Sequence, residues 1–205
     1  MINQIIINLG IAGVLVTNAT FASAAPDLTA AAAALAVVDS AALGTDRNLP
    51  WSEPVQIDDP FEGSFVGVFD RHSFHEQFLN TDARIEVQSL WSRDFIRVLS
   101  VVRDRDCLNQ PIGIIGSRGC TEFNDARNIT ELFIKIEDEV FQVSGQSNTF
   151  AVSDELATAL QNAPEMNISI RLVTDSGETI DSEIGEATVE AWKTVYLSQD
   201  VLSSE

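Results

Sequence analysis

The chain has 205 residues, 45% of them hydrophobic, and carries 31 acidic against 12 basic side chains for a formal net charge of −19. A field of that sign repels phosphate backbones, whose binding depends on Lys and Arg releasing counterions, and repels anionic lipid surfaces as well. Nucleic acid is therefore excluded as a partner, and so is a membrane once any leader is removed.

Residues 1–24 contain no charged side chain, and Ile5 to Val16 is an apolar run interrupted only by Asn8, Gly10 and Gly13. This reads as a signal peptide, too short for a bilayer span of roughly 20 residues. Ala22-Ser23-Ala24 fits the small-x-small rule, with cleavage expected before Ala25. The mature protein is accordingly expected to be exported, to a periplasmic or extracellular location. Residues 25–60, rich in alanine and proline with few large apolar side chains, read as a flexible tether, with Trp51 packing on the edge of the domain.

The compact β-rich domain is placed at 61–200, with a division near 124–128 as the alternative and 201–205 as a tail. Phe61, Phe65 and Phe69 share one face of a strand with Gly63 and Gly67 while Val66 and Val68 take the other, so both faces are expected to be covered, with close approach at the glycines. Ser73-Phe74-His75-Glu76 matches a capping box and predicts one or two helical turns. Strand alternation resumes over Ile85 to Trp91, turns at Ser92-Arg93-Asp94 and returns from Phe95 to Arg103. Cys107 and Cys120 bracket a glycine-rich segment. In an exported chain they read as a disulfide, and closing a loop of thirteen positions contributes on the order of 3 kcal/mol.

Leu132, Ile134 and Ile136, then Val140 to Val143, form a period-two hairpin about Glu137-Asp138-Glu139. A helix is predicted after Ser153 as N-cap, with Asp154 and Glu155 in its first turn, Leu156 and Leu160 on its buried face, and Pro164 beyond its end. Ile168 to Leu172 and Thr179 to Ile184 flank the turn Asp175-Ser176-Gly177. Val189 to Leu197 reads as a last strand from its β-branched and aromatic content, although Val189, Trp192 and Tyr196 would form one stripe of a helix. The fold class that results is α+β and strand-dominated: a small antiparallel barrel or sandwich with one or two short helices.

No catalytic constellation emerges. Asp70, His72, His75 and Glu76 are four potential metal ligands within seven positions, but the histidines are three apart with the glutamate outside, unlike the helical metalloprotease motif. Asp58 with Asp59 and Glu62, Asp104 with Asp106, and Asp175 with Glu178, Asp181 and Glu183 lack the D-x-D-x-D-G calcium loop. Neither G-x-G-x-x-G nor G-x-x-x-x-G-K-[ST] occurs, so no nucleotide cofactor is expected, nor any other. The acidic surface favours cations or a basic protein partner. Through Glu155-Leu156-Ala157, Ile170-Arg171-Leu172-Val173, Asp181-Ser182-Glu183-Ile184-Gly185 and Ala191-Trp192-Lys193, residues 132–196 resemble uncharacterised exported proteins of cyanobacteria. The resemblance implies export and a shared domain and assigns no activity. The expected function is a noncatalytic binding or interaction module of unknown ligand; the alternative is a hydrolase assembled from distant loop acids with His72 and His75.

Overall fold

The computed structural model describes residues 35–44, 47–78, 81–106 and 121–197. Along them run β1 (Ala36–Val38), β2 (Pro54–Asp59), β3 (Gly63–Phe78), β4 (Thr81–Ser92), β5 (Phe95–Asp106), β6 (Thr121–Arg127), β7 (Ile129–Ile136), β8 (Glu139–Gln146), β9 (Thr149–Ala151), α1 (Asp154–Gln161), β10 (Ile168–Thr174), β11 (Thr179–Ile184) and α2 (Glu186–Val195). The strands join in one sheet of order β1-β2-β3-β4-β5-β9-β8-β7-β10-β11, with β6 also on β5. β1 runs parallel to β2, and the other named pairs are antiparallel. The chain is thus a strand-dominated α+β protein, but its mixed sheet is not closed into a barrel.

Local pattern and structure agree through most of the chain. Leu132, Ile134 and Ile136 are buried while Lys135 is exposed, and Leu132 faces Val143 across the hairpin. The Ser153 hydroxyl accepts from the Leu156 N–H, capping α1, and Leu156, Ala157 and Leu160 are its buried side. Ile168, Ile170 and Leu172 of β10 face the interior together with Ile180 and Ile184 of β11.

Both faces of β3 are covered, as its composition requires. Val68 belongs to the main core with Trp91, Ile96, Leu132 and Trp192, whereas Phe69 lies on the other face with Val55, Ile57 and Leu90. Gly67 permits this, since a Cβ there would come within 3.0 Å of both Ile57 and Leu90 side chains. At Gly145 a Cβ would collide with the Thr149 carbonyl and the Phe150 ring, so only glycine lets β8 and β9 turn so tightly. Phe61, by contrast, is 94% exposed.

Three expectations are corrected. Residues 73–78 are not helical: β3 pairs with β4 straight through them, Ser73 opposite Glu86 and Phe74 opposite Ile85. A capping box offers two local hydrogen bonds, and a long ladder outcompetes it. Val189 to Val195 is helix, not strand, because Val189, Trp192, Val195 and Tyr196 make one buried stripe against the sheet. Finally, compact structure begins before Phe61. Ala41 and Leu49 are buried on the outer face of the sheet, where Asp59 accepts the Ala41 N–H, Gln88 accepts the Gly44 N–H and Arg97 donates to the Ala41 carbonyl. Polar anchors on β2, β4 and β5 thus hold a segment too poor in large apolar residues to be recognised as folded. Trp51 does pack, edge-on to Phe69 with the Arg71 guanidinium 4.9 Å from its ring centre.

Cys107 and Cys120 lie outside the described residues. Thiol titration of the protein under denaturing, non-reducing conditions is expected to find no free thiol, and two would refute the bond.

Candidate functional site

The four candidate ligands of β3 do not converge. Strand alternation sends Asp70 and His72 to the core-facing side and His75 to the opposite one, where it is exposed. The Glu76 side chain lies outside the described residues. Among the described residues no group of three His, Cys, Asp or Glu side chains is placed to hold a metal.

Asp70 and His72 instead take up the free edge of β11. The Asp70 Oδ1 accepts from the Gly185 N–H at 3.4 Å and from the Thr188 hydroxyl at 2.6 Å, and Thr188 also contacts the Ser52 hydroxyl at 2.9 Å. Two residues along β3, the His72 Nδ1 accepts from the Glu183 N–H at 3.3 Å and lies 3.0 Å from the Ser182 hydroxyl. β11 therefore meets β3 through side chains rather than a backbone ladder, which is why the sheet stops short of closure.

Asp70 is 4% exposed. Burial raises its pKa above the usual carboxylate value, opposed by the Thr188 hydroxyl, the Gly185 N–H and the neighbouring His72. Its place at the start of α2 is favourable in one respect. The helix N-terminus attracts negative charge, and Gly185 as N-cap brings no side chain of its own.

On the outer face of β7, β8, β10 and β11 lies a half-open groove of about 530 Å³ that ends at His72. Phe133, Val140 and Ile170 supply apolar surface, and Lys135, Arg171, Asp181 and Glu183 supply charge. The hairpin register sets Arg171 opposite Asp181, where the guanidinium makes two bonds to the carboxylate at 2.6 and 2.8 Å. That hydrogen-bonded pair holds the Asp181 carboxyl below its ordinary value and raises the Arg171 guanidinium. Glu183 accepts from the Asn167 amide at 3.3 Å. Two acids and a histidine thus share a groove, but the acids already have partners and Ser182 is buried beneath the histidine.

The acidic groups weighed as calcium ligands are similarly engaged. Asp59 accepts the N–H groups of Ala41, Phe61 and Glu62, and those backbone donors hold its pKa down. Glu62 pairs with Arg97, Glu178 with Arg127, and Asp175 accepts from Asn128. The side chains of Asp104 and Asp106 lie outside the described residues.

Sequence reasoning passed over Ser182 and Thr188, which meet β3 through contacts more than 100 positions apart, and Ser52, whose hydroxyl meets that of Thr188 from 136 positions away. Arg171 and Asp181 did leave a signal. They are opposite charges equidistant from the turn at Asp175-Ser176-Gly177. No protein-family model, no curated protein and no solved structure matches this chain.

Proposed function

We propose that this chain is an exported, acidic, noncatalytic binding or interaction module whose ligand enters the groove beside His72. The observation that supports it most is the state of the groove's polar groups. Asp181 is held by two bonds from Arg171, and the His72 Nδ1 is occupied by the Glu183 N–H. A binding surface needs ordered donors and acceptors around apolar area, and the fixed partners of Asp181 and His72 supply that order. Phe133 and Val140 supply that area. The preferred ligand class follows from charge: cations or a basic protein, attracted by a field that salt screens within about 8 Å.

Thermal melts test this reading. Polylysine, or calcium at millimolar level, is expected to raise the melting temperature at low salt, with the shift fading as salt increases. A shift with micromolar ATP and none with either cationic probe would overturn it. The hydrolase alternative keeps one observation, the 3.0 Å contact of the Ser182 hydroxyl with His72. Ester hydrolysis abolished by Ser182→Ala in a chain that still melts normally would decide for it.

A further inference from the structure

The strand edges of this sheet are unequally closed. The outer edge of β11 is taken up at its C-terminal end, by His72 on the Glu183 N–H and by Asp70 on the Gly185 N–H just beyond it, and β5 is paired by β9 at one end and β6 at the other. β8 differs. Its residues 139–144 pair with β7, whereas β9 reaches only Gly145 and Gln146 before the chain turns into α1. Among the described residues the second edge of 139–144 has no strand partner, and alternate backbone N–H and C=O groups of such an edge point outward.

A groove of about 500 Å³ lies at the hairpin end of β8, lined by Glu139 and Phe141 of that strand, Ile136 of β7 and the end of α1. Phe141, Ala159 and Pro164 give it apolar surface, and Glu137, Asp138 and Glu139 form an exposed acidic border. No basic residue lines it among the described residues. A groove between a strand edge and a helix is the setting in which an extended peptide adds as a further strand, with backbone bonds supplying affinity and pockets for alternate side chains supplying specificity. The charge decides the occupant. A second copy of this chain brings the same net charge of −19 to the contact, while a basic segment is drawn to the border of three acids.

We propose that the free edge of β8 docks an extended basic segment of a partner protein as an additional strand, its apolar side chains on Phe141 and Ala159 and its Lys or Arg against Glu137 to Glu139. This site shares β8 with the groove beside His72 but lies on its other face, Phe141 lining the one and Val140 the other. The probe is a peptide of about six residues, the usual strand length, alternating lysine and valine. Its control is the same peptide N-methylated at alternate residues, which keeps charge and side chains but removes strand-pairing N–H groups.

Titrated into the full chain and followed by amide hydrogen exchange, the plain peptide is expected to slow exchange within 139–144. N-methylation is expected to weaken binding about tenfold, as is the triple variant Glu137→Lys, Asp138→Lys, Glu139→Lys. All three substituted side chains are exposed, so an unchanged melting curve serves as the folding control. Equal binding of both peptides, no binding, or protection that rises with protein concentration alone would each overturn the proposal. Perturbation at His72 and Phe133 in place of β8 would do the same while leaving the reading of that groove intact.

Discussion

Trp192→Ala is expected to destabilise the fold by about 3–5 kcal/mol, the range for truncating a buried tryptophan. Trp192 is fully buried in the main core, its ring centre 4.6 Å from that of Trp91 on β4, and it is the largest side chain in the buried stripe of α2. Among the described residues its indole N–H has no hydrogen-bond partner. Trp192→Phe removes that orphaned donor while keeping an aromatic ring, so its cost should be much the smaller of the two. Urea unfolding followed by circular dichroism measures both. Equal losses would mean that the tryptophan is not acting through ring packing.

Replacement of Asp70 is expected to separate hydrogen bonding from charge. Asp70→Ala removes the acceptor of the buried Thr188 hydroxyl and of the Gly185 N–H together with the ionisable group, and should cost about 1–3 kcal/mol more than Asp70→Asn at every pH. Asp70→Asn keeps an oxygen for both donors and removes the ionisable group. Because burial raises the pKa of Asp70 in the folded chain above its ordinary value of 3.8, the folded state holds this proton more tightly than the unfolded state. Its stabilising contribution is complete below that value and is lost as pH rises through the folded pKa. The stability of Asp70→Asn relative to wild type should therefore improve as pH rises above 3.8 and through the folded-state pKa, where wild type acquires a buried charge. Parallel pH profiles for the two proteins would show that Asp70 is not held in a proton-retaining environment.

The elements legible beforehand are those that local chemistry specifies. The β7–β8 and β10–β11 hairpins each combine alternation with turn residues, and α1 carries its own cap and stop. The errors fall where two local readings compete. At Ser73 to Glu76 a capping motif sat inside a stretch that also alternates, and pairing with β4 resolved it toward strand. At Val189 to Tyr196 the residue types favoured strand while the spacing of the large side chains favoured helix. Packing against β3 and β4 selected the spacing. The candidate site was half legible: Asp70 and His72 stood out as titratable neighbours, but as imagined metal ligands rather than partners of a strand edge.

The order of hairpins, the position of α1 and the acidity that disfavours nucleic acid follow from the residues themselves, because each depends on neighbours within a few positions or on a simple sum of charge. Which edge is sealed and which is open follows only from the assembled sheet. Asp70 and His72 reach β11 across more than 100 positions, and the same assembly leaves β8 exposed where β9 ends early. Alternation specifies which face of a strand is buried, but hydrogen bonding at its edges depends on which other strands arrive there, and that is a property of the tertiary fold.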